Sequence, residues 1–367
     1  MKKILHMTPP DINNGVHRYL FNHMKYLNHE KYQFAFLNRN AEKLMKTQEY
    51  QKYHFEIQSF HNTERDSKDG LRREIIRILS KGYDAIHLHT SIWRGFLIEE
   101  IAMELGIPKV IVHAHSTGID DEAKEDRDKL LRIHEKYKYM FDLDKATDVC
   151  ACSVLAGEWL FGPKIPREQI KIMPNAIDIK EYHFQYETRK RIRNLLNIDN
   201  RIVIGNVGRY SYQKNQEFLV RSFAKAYKNN PKLYLLLIGQ GELMGKIRKL
   251  ICNLDIEDAV LCFDWQEHVE HFLQAMDVFC LPSYFEGMPI SAIEAQAAGL
   301  PCFVSNKVTE EIKITKLVTF LPLIEEKWQF VMEQSRSNDD RECFDEQIAK
   351  SGFNIEQEVL KLESLYQ

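Results

Sequence analysis

The stretch Asp277–Asn306, DVFCLPSYFEGMPISAIEAQAAGLPCFVSN, decides the fold. Val278-Phe279-Cys280-Leu281 is apolar without alternation, as expected of a parallel strand buried on both faces. Pro282–Gly287 reads as a turn. Met288–Ala298 has helical composition, with Pro289 in the first turn, where its missing N–H costs nothing. Gly299 ends that helix, Pro301 stops it from resuming, and Cys302–Ser305 reads as the next strand. Such a strand–loop–helix–strand unit puts its loop at the carboxyl edge of a parallel sheet. Ligands of doubly wound sheets bind at that edge, and anions favour the open N–H groups of a helix start.

Two carboxylates mark the unit, Glu286 in the loop and Glu294 in the helix. From Pro289 to Glu294 the helix rises roughly 7–8 Å, so the two acids suit opposite ends of an extended ligand. Acids accept from hydroxyls, whereas phosphate prefers backbone N–H donors. A sugar and a ribose joined by a diphosphate fit this layout. The plain alternative is a solvated helix face, since two glutamates eight apart arise by chance in an acidic chain. The segment is otherwise apolar and small-residued, and there the pair stands out.

EGMPISAIE followed by AQAAGLP resembles the Glu-x7-Glu signature of the retaining glycosyltransferases of family 4, in particular their bacterial exopolysaccharide and capsule members. The resemblance implies a GT-B fold, an α/β architecture of two Rossmann-like α/β/α domains facing a central cleft. It assigns Glu286 to donor-sugar hydroxyls and Glu294 to the ribose. Ser283, Gly287, Met288 and Ile290, around the loop and helix start, are then donor-binding positions.

A chain of 367 residues with 44% hydrophobic content can fill two cores. A net charge of −3 argues against a general nucleic-acid binder. The half before residue 175 is slightly positive and the half after it slightly negative, which permits, without requiring, an anionic membrane beside the first domain. Seven cysteines lack any Cys-x-x-Cys pair and mostly sit in apolar runs, so free thiols in a reducing cytoplasm are expected. MKKILHM is too short an apolar stretch for a signal peptide and reads as a first strand. No run approaches the ~18 apolar residues of a membrane span.

The first half alternates strand runs (4–7, 34–37, 85–89, 110–114 and 149–153) with charged helical segments, the pattern of a parallel α/β sheet. After the first strand, Asp11-Ile12-Asn13-Asn14-Gly15 enters a helix. Gly15 permits close approach of a phosphate or sugar, or simply makes the turn. The family carries Gly-Gly here facing the donor diphosphate, so Asn14 departs from it. His87, His89, His113 and His115 form HLH and HAH at strand ends. A metal is disfavoured, because no Cys, Asp or Glu partner stands at ligand spacing. VIVHAHS resembles the family position near the donor sugar, which makes His115 the catalytic candidate, with His113 next. Leu71–Lys81 is basic and amphipathic, either an interfacial helix or an ordinary one packed on the sheet. Glu122–Lys138 reads as a solvated helix.

MPNAID at 173–178 resembles the family's inter-domain turn, with Ala176 in place of glycine. The expected domains are 1–178, binding acceptor, and 179–350, binding donor, with a C-terminal helix over 351–367 returning to the first domain. GRYSYQKN at 208–215 follows a buried strand and resembles the family's GR…KN motif. Arg209 and Lys214 are therefore the expected clamp on the leaving diphosphate. Gly239-Gln240-Gly241 follows the strand 233–238. A dinucleotide fingerprint belongs at a first βα turn, so NAD is not expected, and the family places this turn beside the nucleotide. Asp264-Trp265 ends the next strand near the nucleobase.

The implied activity is retaining, metal-independent transfer of a hexose or N-acetylhexosamine from a UDP-sugar to a glycan or lipid-linked acceptor in surface-polysaccharide synthesis. No cofactor is expected. The implied location is the cytoplasm, with the inner face of the plasma membrane left open. Two alternatives stand beside it. A nucleotide-sugar epimerase needs further acid/base residues that the sequence does not offer. A non-catalytic partner of another transferase would have lost the cations or acids that are retained here.

Overall fold

Short apolar runs pair in parallel to build two separate sheets. In this computed structural model the chain forms two units: residues 1–119, 124–175 and 355–367, then residues 120–123 and 176–354. The structure describes residues 1–10, 14–62 and 64–367, with backbone alone at 64–66.

The first sheet comprises β1 (Lys2–Met7), β2 (Tyr32–Leu37), β3 (Glu56–Gln58), β4 (Ala85–Thr90), β5 (Lys109–Ala114), β6 (Asp148–Ala151) and β7 (Ile170–Ile172). Their spatial order is β3-β2-β1-β4-β5-β6-β7, all parallel. The two outer strands escape the sequence pattern. EIQ and IKI are three-residue edge strands that alternate apolar and polar residues, so no apolar run announces them. Ile4, Leu5, Ile86, Leu88, Val110 and Val112 are fully buried between the flanking helices. The basic helix expected over Leu71–Lys81 is the latter part of Glu64–Leu79, ending two residues early, and sends Leu71, Ile75, Ile78 and Leu79 into this core. It is an ordinary packed helix. Lys124–Met140 buries only His134, as a solvated helix should.

The chain leaves this unit at 175/176, a little before the expected 178/179. The reason is local: Ile177 bridges Asn354 and donates to the Phe353 carbonyl at 3.0 Å, both within the second unit. After 354 the chain returns to the first unit as the helix Ile355–Leu365. Lys2 Nζ donates to the Tyr366 carbonyl at 2.8 Å and Asn28 N–H to Glu363 at 2.9 Å, which ties the tail down.

The second sheet holds β8 (Ile202–Val207), β9 (Leu233–Ile238), β10 (Val260–Phe263), β11 (Val278–Leu281), β12 (Cys302–Ser305) and β13 (Val318–Leu321), ordered β10-β9-β8-β11-β12-β13 and parallel. Chain direction across the sheet reverses between β8 and β11, which is where such sheets open their ligand crevice. The expected helix is slightly shorter, Ile290–Ala297, with Pro289 as its N-cap residue. Gly299 takes φ +69° and closes it, a conformation that penalises any Cβ.

Asp277 fastens β11 to what precedes it. Its fully buried carboxylate takes Arg189 Nη2 at 2.5 Å, Arg193 Nη1 at 3.1 Å and the Val203 N–H at 2.7 Å. Removing it takes the buried carboxylate from Arg193 and leaves the buried Arg189 guanidinium only Asp339 as an acidic partner. Asp277→Ala should lower the unfolding free energy of the second unit by about 3–5 kcal/mol, read by urea melts. A loss below the roughly 1 kcal/mol of an exposed pair would contradict this burial.

Candidate functional site

Three loops follow adjacent parallel strands and meet at one edge of the second sheet: 208–215 after β8, 239–243 after β9 and 282–289 after β11. The sequence reading places Lys214 on a phosphate and Glu286 on a sugar. The structure brings them together. Lys214 Nζ lies 2.7 Å from Glu286 Oε1, with both side chains largely buried. Ser283 Oγ donates to the same carboxylate at 2.7 Å, and Gln213 Nε2 reaches its other oxygen at 2.9 Å. Gln213 also donates to the Phe285 carbonyl at 2.9 Å, and Tyr284 N–H donates back to the Gln213 carbonyl at 2.9 Å. Gln213 thus joins the two loops, a role that one glutamine in a polar loop does not signal in sequence.

Arg209 follows β8 and pairs with Asp120, whose other oxygen accepts the Gln213 N–H at 2.8 Å. Residues 120–123 belong to the second unit by their contacts, so the carboxylate is part of this loop cluster. A carboxylate on Arg209 presents the charge and paired oxygens that a phosphate would. Asp120 was not foreseen, because it comes from a segment far away in sequence.

The glycine turn has a structural cause. Gly239 takes φ +152°, and a Cβ there would lie 2.0 Å from the Gly208 carbonyl oxygen. At Gly241 a Cβ would lie 2.2 Å from the Tyr210 oxygen. Tyr210 N–H donates to Gln240 O at 2.9 Å, and Leu243 N–H donates to Tyr210 O at 3.1 Å. The two loops stack backbone on backbone, and this sets where Arg209 stands.

At the third loop Ser283, Gly287, Met288 and Ile290 are buried. No side chain among the described residues caps the helix Ile290–Ala297, although Ala292 N–H turns to the Pro289 carbonyl at 3.1 Å, and a helix start without a side-chain cap suits an anion. Glu294 is buried on this helix and its Oε1 accepts the Tyr182 hydroxyl at 2.7 Å. Tyr182 is a second unforeseen residue. Trp265, just past β10, keeps half its surface exposed.

In the first unit Gly15 opens the helix Gly15–Met24, with no described atom within 4 Å of an added Cβ. Asn14, the departure from the family pattern, caps that helix by accepting from Val16 N at 2.9 Å and His17 N at 3.1 Å. Asp11, Ile12 and Asn13 lie outside the described residues.

The four strand-end histidines are joined by a fifth, His6, because β1 pairs with β4 in a register that sets His6 beside His87. His115 is half-buried and its Nε2 lies 2.8 Å from His89 Nδ1. Burial holds all five imidazoles neutral: it pushes His6 and His115 down to about 3 and the other three well below the usual value. His23, on the helix Gly15–Met24, is pushed down to about 4 by the same cause. All seven cysteines are free thiols.

Comparison with known proteins gives a consistent result. The model described as Glycosyltransferase Family 4 matches residues 13–181, and that described as Glycosyl transferases group 1 matches 188–315. EpsF of Bacillus subtilis (strain 168), assigned as a glycosyltransferase, is 31% identical over 293 residues, covering 77% of this chain and 74% of its own. The UDP-Gal:alpha-D-GlcNAc-diphosphoundecaprenol alpha-1,3-galactosyltransferase of Escherichia coli is 26% identical, covering 77% of this chain and 75% of its own. Anabaena HepE, solved in complex with UDP-glucose, superposes with a TM-score of 0.71 at 16% identity, covering 99% of this chain and all of that one.

Two outcomes follow from this packing. Gly241→Ala forces the Tyr210 backbone aside and should lower both the melting temperature and nucleotide affinity; unchanged values for both would contradict the stacked-loop geometry. The histidines set an acid limit. An unfolded chain takes up protons on them below about pH 6.5, while the folded chain resists until far lower. Stability is therefore full above that pH and falls as pH drops below it, by about 1.4 kcal/mol per pH unit for each histidine. Urea midpoints of the first unit should drop steeply from pH 6.5 to 5, and a flat profile would contradict a neutral cluster.

Proposed function

Because this chain belongs to glycosyltransferase family 4, we propose that it moves a hexose or N-acetylhexosamine from a UDP-sugar to a glycan or lipid-linked acceptor in surface-polysaccharide synthesis. The anomeric configuration is retained and no metal ion is required. The name of the E. coli relative, with its UDP-galactose donor and diphosphoundecaprenol-linked acceptor, supports both substrate classes.

The observation that carries the reading is the loop cluster at the β8/β11 switch point. A guanidinium, an ammonium and an uncapped helix start gather at one sheet edge with two buried carboxylates. In the transfer, the bond between the anomeric carbon and the β-phosphate oxygen breaks as the acceptor oxygen bonds to that carbon on the same face. The acceptor proton leaves on the departing diphosphate. Negative charge grows on that diphosphate, and Arg209 and Lys214 stand where it needs neutralising. Asp120 holds Arg209 in the absence of donor, and a diphosphate would take its place. Glu286, fixed by Lys214, Ser283 and Gln213, presents its carboxylate to donor-sugar hydroxyls. Glu294, oriented by Tyr182, accepts from the ribose. His115, in the first unit, donates to the donor sugar or to the leaving oxygen. Gly15, Gly239 and Gly241 let backbone come close to the nucleotide.

Transfer from UDP-hexoses to a polyprenyl-diphosphate sugar, run in EDTA and followed by mass spectrometry for the product and NMR for its anomeric linkage, tests this. The expected product forms without metal and carries the donor's anomeric configuration. Arg209→Ala should cut kcat/KM by about 10²–10³, the usual cost of removing one group that stabilises developing charge. A strict requirement for a divalent cation, or full activity in Arg209→Ala, would sink the clamp.

A further inference from the structure

The buried histidines form one hydrogen-bonded chain. In order it runs His113–His87–Tyr366–His6–His89–His115, crossing β5, β4, the C-terminal tail and β1 before returning to the end of β5. The links measure 3.1 Å (His113 Nδ1 to His87 Nε2), 2.9 Å (His87 Nδ1 to Tyr366 Oη), 3.4 Å (Tyr366 Oη to His6 Nε2), 3.0 Å (His6 Nδ1 to His89 Nε2) and 2.8 Å (His89 Nδ1 to His115 Nε2). Each neutral imidazole carries one N–H and one lone pair, so it can donate in only one direction along the chain. The Tyr366 hydroxyl could accept from both neighbours only by leaving its own buried O–H without an acceptor, so all six groups point the same way.

The inner end decides which way. His113 Nε2 is buried without a partner. If it bore the proton it would be an orphaned buried donor, which folded proteins rarely tolerate; as a bare lone pair it is the cheaper loss. The proton then sits on His113 Nδ1 and donates to His87. His87 donates to Tyr366, Tyr366 to His6, His6 to His89, and His89 Nδ1–H to His115 Nε2.

We infer that Tyr366, in the C-terminal tail, is a positioning residue that locks His115 as its Nδ1–H tautomer. His115 Nε2 is consumed as an acceptor. Nδ1–H, which has no partner among the described residues, becomes its donor to a ligand. This deepens the reading of His115 given above, and only its kinetic consequence rests on that reading. The fixed tautomer would spare the enzyme from selecting the donating form at each turnover.

Histidine side-chain ¹⁵N–¹H correlation spectra of the full chain, labelled on histidine and assigned with His115→Gln, read the tautomer without reference to activity. In the wild type, His115 should show a protonated Nδ1 and a bare Nε2. Tyr366→Phe keeps the ring but removes the hydroxyl, so His6, His89 and His115 should become mixtures of both tautomers. Tyr19→Phe, which removes a buried hydroxyl outside the chain, should leave them fixed. In the transfer assay Tyr366→Phe should lower kcat several-fold with little change in donor KM. A protonated Nε2 on His115 in the wild type overturns the inference whatever the variants do, and so does an unaltered His115 signal in Tyr366→Phe. Correct tautomers with unimpaired His115→Gln activity would instead refute the catalytic reading and leave the chain standing.

Discussion

One buried ion pair organises the loops at the edge of the second sheet. Lys214 and Glu286 come from segments 72 residues apart, and neither could be buried without the other. Desolvating a lone ammonium or carboxylate costs several kcal/mol, and a pair with good geometry and further hydrogen bonds can offset that cost. Here Ser283 and Gln213 supply those bonds to the carboxylate. The pair therefore fixes the loop after β8 against the loop after β11, and with it the orientation of the Glu286 carboxylate. Burial also keeps bulk water from screening these charges.

Two further constraints hold that arrangement in place. Beneath the sheet, Asp277 binds two guanidinium groups and the first strand of the unit, so β8 and β11 start from a common anchor. Above it, Gly239 and Gly241 let one loop lie directly on the backbone of another. The first unit is held differently. At its centre neutral imidazoles hydrogen-bond to one another, and the C-terminal tail supplies the hydroxyl that links His87 to His6.

Much of this was legible in the sequence because parallel strands announce themselves as apolar runs. Val278–Leu281, Leu233–Ile238 and Cys302–Ser305 were bounded to the residue, and the loops after them followed from the carboxyl-edge rule. Short edge strands stayed hidden, since EIQ and IKI bury too little to need an apolar run. Partners set by tertiary register stayed hidden as well. Nothing local ties His6 to His87, Tyr182 to Glu294 or Asp120 to Arg209; each pairing exists only once the strands and crossings are in place. Asn14 shows the converse. As a departure from the family's glycine it put the loop shape in doubt, yet its side chain makes a sound helix cap.

Under the proposed function, protein charges alone hold the donor diphosphate. Isothermal titration of the wild-type chain with UDP, GDP and ADP in excess EDTA tests it most directly. Saturable binding of UDP in preference to the other two is expected, unchanged when Mg²⁺ or Mn²⁺ replaces the chelator. Binding that appears only with the divalent ion, or no binding of any of the three, would contradict it.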